Sequence, residues 1–237
     1  MNRQAQAAVL FLLGASLLHA GATDLYLRYV KAGLQPLLLA SGAVLIATAL
    51  ATAWYEWRKA KEPEESHSHP EPRVSWLLLL PLLALILVAP PALGSYSATR
   101  TGTALQEPVA YPALPATDPL PLAVADYAGR AAYDHGRTLT GRRVALTGFV
   151  TLDEDGTPYL VRMTLNCCAA DAQPVKVGLT GRIPPVLQPD TWLQVTGTYT
   201  PRLTRDPVND GPIPFLEVAT AKPVTAPRDP YDETWNN

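Results

Sequence analysis

Apolar positions in residues 5–94 run with no polar face, broken only by two polar loops. Residues 34–55 (LQPLLLASGAVLIATALATAWY) and 74–94 (VSWLLLLPLLALILVAPPALG) carry no charge. Each has the length, about 20 residues, that a helix needs to cross a bilayer core. A soluble helix that long would show a polar stripe. Residues 5–22 are similar and end in Ala20, Gly21 and Ala22. They read either as a cleavable signal peptide or as a retained helix. Asp24, Tyr26, Arg28 and Tyr29 follow at once. That favours a retained helix turning through an interfacial hairpin into the second.

The pattern therefore predicts about three transmembrane helices in an anchor spanning residues 1–94, with helices at 5–22, 34–55 and 74–94. Loop 56–73 holds Arg58, Lys59, Lys61 and Arg73, against Arg28 and Lys31 in the first loop. The larger basic count marks loop 56–73 as cytoplasmic and sends everything after Gly94 outside. Ala43, Ala47 and Ala51 recur every fourth residue in the second helix. Small residues so spaced let helices approach closely in lipid, either within this anchor or against a partner.

Past Gly94 the period changes. Residues 95–120 are rich in Pro, Ala and Thr and read as an extended linker. Residues 122–133 put Leu122, Ala125, Tyr127 and Ala128 near one helical face. Five β-branched, alternating runs follow, at residues 142–152, 159–165, 174–179, 191–200 and 214–220. The turn Asp153-Glu154-Asp155-Gly156 separates the first two. The expected fold is membrane-anchored: an all-β, OB-like small barrel over residues 121–223, one short helix before it and a tail at 224–237.

Charge narrows the class. The net charge is −2, and acidic residues outnumber basic ones after Ser95. A nucleic-acid module shows the opposite sign. The chain has no nucleophile–base signature, Gly-rich phosphate loop or HExxH motif, so the expectation is a protein that is not an enzyme.

The chemistry concentrates at one point. Both cysteines, Cys167 and Cys168, are neighbours between the second and third strands, and Asp171 follows. Paired thiolates are soft donors suited to zinc or another soft transition metal. His135, the sole histidine of the β region, is a further candidate ligand, with Asp134 beside it. Adjacent thiols also support a strained, labile disulfide or two small buried hydrophobes. All three readings stand on the residues alone. His67 and His69, set among carboxylates in the cytoplasmic loop, suit weak metal capture, because a closed zinc site wants four fixed ligands. Trp192, Tyr159 and Tyr199 would offer stacking surfaces for an oligosaccharide if they were not core.

The blocks PPALGS, GRRVALTGFV, NCCAADAQPV, DTWLQVTGTY and the closing PYDE resemble a bacterial permease-subunit family. That family joins a hydrophobic N-terminus to a C-terminal domain bearing a Cys-Cys-Ala-Ala-Asp motif. The motif falls on Cys167, Cys168, Ala169, Ala170 and Asp171. The resemblance implies an accessory subunit that works beside a separate multi-helix permease, in some systems linked to zinc supply. The expectation is a multi-pass protein of the cytoplasmic membrane, with lipid and a permease as partners and no nucleic acid. Its outer domain would capture a transition metal, zinc first. The alternative expectation is a non-catalytic structural or redox-responsive interaction module.

Overall fold

The computed structural model describes residues 3–59, 77 and 79–233. The chain divides into two compact units, one of residues 1–26 and 32–91, the other Leu27–Lys31 with Ala92–Asn237.

The first unit is built on α1 (Arg3–Ala22) and α2 (Gln35–Lys59). They run antiparallel. Arg3 Nη1 meets Glu56 Oε1 at 2.9 Å at one end, and Gln35 Nε2 donates to the Gly21 carbonyl at 2.8 Å at the other. Gly14 and Gly42 set the crossing: a Cβ on Gly14 would stand 2.8 Å from the Gly42 carbonyl oxygen. Small residues at a crossing let backbones close in and gain dispersion contacts. Ala43, Ala47 and Ala51 take no part in this crossing and stay exposed. Large apolar side chains, including Leu37, Val44, Leu50 and Trp54, also remain uncovered by the chain. The hydroxyls of Ser16, Ser41, Thr48 and Thr52 each donate to the carbonyl four residues back, which hides them from an apolar solvent.

Two helices, not three, are long and apolar enough to cross a membrane among the described residues. Among the described residues of the third expected span, the α-helix is α3 (Leu79–Leu87). Nine residues rise roughly 13 Å, well short of the ~30 Å core. Pro90 and Pro91 lack the N–H groups a helix would need to continue toward Gly94.

The second unit is a closed ring of strands. Its elements are α4 (Ser95–Arg100), β1 (Leu120–Pro121), α5 (Val124–Ala132), β2 (Arg143–Leu152), β3 (Pro158–Leu165), β4 (Gln173–Gly181), β5 (Trp192–Arg205), β6 (Pro212–Pro223) and β7 (Tyr231–Glu233). Neighbours around the ring run β2, β3, β4, β6, β5 and back to β2. All pairings are antiparallel except β4 with β6, where Leu179 lies opposite Leu216. The small barrel of five strands expected from alternation is thus observed. β1 adds in parallel to β2, and β7 adds in parallel to β3.

Alternation explains the two apolar clusters. Val144, Leu146, Val150, Leu160, Val177 and Leu193 pack together with the Ala125, Tyr127 and Ala128 face of α5. Residues one step out of phase, including Phe149, Val161 and Phe215, pack with Ala98 of α4 and Tyr231 of β7. Successive strand residues point to opposite faces, so a strand covered on both sides buries both sets. Gly197 sits where β5 slips register against β6, and a Cβ there would stand 2.3 Å from the Glu217 carbonyl oxygen.

Part of the segment read as an extended linker packs on the barrel. Thr103 and Leu105 are buried, and the Thr103 N–H donates to Asp206 at 2.9 Å. Asp206 also takes the Lys176 ammonium at 2.7 Å, and Lys176 reaches the Thr101 carbonyl at 3.0 Å. The Asp206 side chain is 0% exposed. The expected tail is likewise structured through Tyr231–Glu233, with Arg162 Nε on Asp232 at 2.8 Å.

Removing one partner of a buried ion pair strands the other charge, at a cost of about 3–5 kcal/mol. Asp206→Ala is therefore expected to lower the unfolding free energy of the detergent-solubilised chain by about 3 kcal/mol or more. Chemical denaturation followed by Trp fluorescence reads this. A loss below about 1 kcal/mol would mean the pair contributes little.

Candidate metal centre

The β3–β4 connection is built by its own carboxylate. Thr164 and Gln173 are the last paired residues, and residues 165–172 turn between the strands. Asp171 closes a single 3₁₀ turn, Ala169–Asp171, and its side chain folds back over the start of the loop. Asp171 Oδ1 accepts the Asn166 N–H at 3.0 Å, and Oδ2 accepts those of Cys167 at 2.8 Å and Cys168 at 3.4 Å. The Asp171 N–H in turn donates to the Cys168 carbonyl at 3.0 Å.

This turn brings the chemistry together. Each of Cys167, Cys168 and Asp171 offers one ligand atom, and these atoms lie within 4.8 Å of one another. Adjacent residues in an extended strand would aim their sulfurs at opposite faces. Both cysteines are free thiols, Cys167 exposed and Cys168 half-buried.

The electrostatics follow from that proximity. The Asp171 carboxylate and the Cys168 thiol, with burial adding to them, push the Cys167 thiol up to about 11. Burial raises the Asp171 carboxyl, but hydrogen bonds from the Cys167 thiol and from the N–H groups of Asn166, Cys167 and Cys168 outweigh it. The carboxyl is held below its ordinary value. At neutral pH the site is an ionised carboxylate beside a protonated Cys167 thiol. A divalent cation suits this arrangement, because it displaces the thiol protons and answers the negative charge. Three protein ligands leave a tetrahedral ion one open position, as exchangeable and catalytic sites do.

A groove of about 550 Å³ lies beside the loop. Asn166, Asp171, Thr164 and Gln173 line it, with Gln106 and Glu107 from the docked segment. Ala104, Leu105, Pro108, Val109 and Val175 are among the apolar residues that complete its wall.

The remaining candidates stand elsewhere. His135 is exposed in the turn after α5, at φ 50°, and does not join the cluster. The Asp134 carboxylate is committed to Arg137 at 2.6 Å and to the Thr138 hydroxyl at 3.1 Å. The turn needs that carboxylate locally, which keeps the pair from reaching toward the loop. His67 and His69 lie outside the described residues. Tyr159 is a core residue, while Trp192 and Tyr199 are partly covered and pack against the two clusters.

One part of the site escaped the sequence reading. Residues of the connector between α1 and α2 pair with the thiol loop. The Lys31 N–H donates to the Cys167 carbonyl at 3.1 Å, and the Ala169 N–H donates to the Tyr29 carbonyl at 2.8 Å. Val30 stands opposite Cys168 in an antiparallel bridge. The only local sign was a short β-favouring run, Leu27, Tyr29 and Val30.

Residues 124–232 match the family model of the DUF1980 C-terminal domain. The match begins at α5, covers the ring and the thiol loop, and ends within β7. No curated protein and no solved structure matches the chain.

The geometry makes Asp171 the cause of the raised Cys167 thiol. Asp171→Asn removes the charge at nearly constant shape. The pH midpoint of Cys167 alkylation should then fall from about 11 toward the ordinary thiol range, roughly 8.5. Mass-resolved iodoacetamide labelling across a pH series measures it, and an unmoved midpoint would assign the shift elsewhere.

Proposed function

We propose that the chain is a membrane-anchored accessory subunit of a transport system, and that its OB-like domain captures a transition metal, zinc first, at Cys167 and Cys168 with Asp171. The observation that carries this reading is the convergence of two sulfurs and one carboxylate within 4.8 Å on a loop with an open side. A captured ion held by three ligands exchanges more readily than one held by four, which suits hand-over to a partner. Asp171 already serves three backbone N–H groups. Its share in holding the ion is one remaining lone pair, so the thiolates carry the affinity.

The partner is a multi-helix permease in the same membrane. Two long apolar helices offer too few walls for a solute path of their own. The exposed row of Ala43, Ala47 and Ala51 is the surface against which such a partner would pack. In this reading the protein performs no covalent chemistry.

The barrel faces the exterior of the cytoplasmic membrane. Two features support this side. Basic residues crowd loop 56–73, the mark of the cytoplasmic face. Leu27–Lys31, the connector between α1 and α2, belongs to the same compact unit as the barrel. A barrel on that side requires a return crossing by residues 74–94, the third span expected from the sequence, which the nine residues of α3 do not supply by themselves. An alkaline phosphatase fused at Asn237 should be active in intact cells. Activity only from a cytosolic reporter at the same position would reverse the topology.

The protonated state of Cys167 tells against a redox role for that thiol. Thiol–disulfide exchange runs through the thiolate. A Cys167 thiol at about 11 supplies little of it at neutral pH.

The central test is zinc binding by the full chain in detergent under reducing conditions. Wild type should bind one zinc per chain, with affinity rising as pH climbs from about 6 to 8, because binding releases thiol protons. Cys167→Ser/Cys168→Ser should lose the affinity by at least about 100-fold, the scale of losing both thiolates. Equal, weak binding by the two proteins would remove the metal reading.

A further inference from the structure

We infer that the connector Leu27–Lys31 is a positioning element of the thiol site, and that zinc at the thiols and pairing of the connector strengthen each other. This rests on the metal reading above.

The thiol loop has two supports. One is internal: Asp171 holds the N–H groups of Asn166, Cys167 and Cys168. The other is the connector. Cys168 lies opposite Val30, flanked by the hydrogen bonds of Lys31 to Cys167 and of Ala169 to Tyr29. The connector is anchored independently. The Arg28 carbonyl accepts the Tyr231 hydroxyl at 3.0 Å, and that hydroxyl oxygen accepts the Leu93 N–H at 3.0 Å. Tyr231 is 4% exposed and registered against Met163 of β3. Residues 29–31 therefore present a fixed edge to the loop.

That edge decides how the two sulfurs are offered. Cys168 is extended, at φ −154° and ψ 170°, which is the conformation the bridge demands. The turn that brings Cys167 to the same side begins where the Lys31 N–H grips the Cys167 carbonyl. With the edge in place, the ion meets two preset sulfurs. Without it, binding must also order the loop, and that ordering is subtracted from affinity. Linkage makes the effect reciprocal: whatever pairing adds to zinc affinity, zinc adds to pairing. By chain order the connector joins α1 to α2. The metal state of an outer loop is thereby written into a segment continuous with both long helices.

The interaction is made by backbone, so the discriminating variants act on backbone. Lys31→Pro deletes the donor to Cys167 and keeps an extended residue before it, as the bridge requires. Lys31→Ala keeps the donor and removes the charge. In the detergent-solubilised full chain, Lys31→Pro should weaken zinc binding about five-fold, the effect of one neutral hydrogen bond. Lys31→Ala should stay within about two-fold of wild type, since it keeps the backbone N–H that donates to Cys167. As a readout independent of any variant's folding, saturating zinc should slow amide exchange at Ala169 and Lys31 in wild type, by about the same five-fold factor. Zinc bound with no slowing at these amides, or Lys31→Pro binding as wild type does, would overturn the inference and leave the metal reading intact. A wild-type chain that takes up no zinc would overturn both.

Discussion

Closure of the strand ring at β2 is the constraint on which the β unit rests. β2 pairs with β3 along one edge and β5 along the other, so no strand of the five has an open side. An unpaired edge would expose a row of donors and acceptors and invite another chain. The closed ring fixes β3 and β4 in register from Tyr159 opposite Gly178 to Thr164 opposite Gln173. A loop launched from such a hairpin has little freedom at its base. The thiol site inherits its precision from that base rather than from the loop's own composition.

Charge finishes what the ring begins. Each of two buried ion pairs ties a segment outside the ring to a strand inside it. Lys176 of β4 and Asp206 hold residues 101–103, while Arg162 of β3 and Asp232 hold β7. Arg162 also donates to the Tyr231 carbonyl at 2.9 Å and lies over the Trp192 ring at 5.1 Å. Charges in such places are costly to bury; the Lys176–Asp206 pair is closed by hydrogen bonds to residues 101–103, whereas Arg162 Nη1 and Asp232 Oδ2 keep no hydrogen-bond partner among the described residues. Docking β7 places Tyr231, and Tyr231 places the connector that borders the thiols. A carboxylate in the C-terminal strand thus bears on the geometry of a loop some sixty residues earlier in the chain.

The site and its surroundings share one economy. The Asp171 carboxylate both shapes the turn and keeps the Cys167 thiol protonated. A thiol in that state supplies little thiolate at neutral pH, and a metal ion, if one bound, would have to displace its proton. The same negative charge that suppresses the bare thiolate would favour an ion-bound one.

Hydrophobic period by itself determined a good deal. Runs at period two located β2 to β6, because a strand covered on one or both faces must place its apolar residues in step with the pleat. Uninterrupted apolarity located α1 and α2, because neither presents a polar face. The adjacency of Cys167, Cys168 and Asp171 was legible for the same local reason. Only the tertiary structure decided what those residues meet. Among the described residues, it gave the third apolar segment a helix at Leu79–Leu87, docked residues 101–105 on the barrel, drew Tyr231–Glu233 into the sheet and left His135 outside the thiol cluster. It also brought Leu27–Lys31 to the thiol loop. These contacts are made largely by backbone groups far apart in the chain. Every non-proline residue carries the same N–H and C=O, so residue type does not announce which distant partner they take.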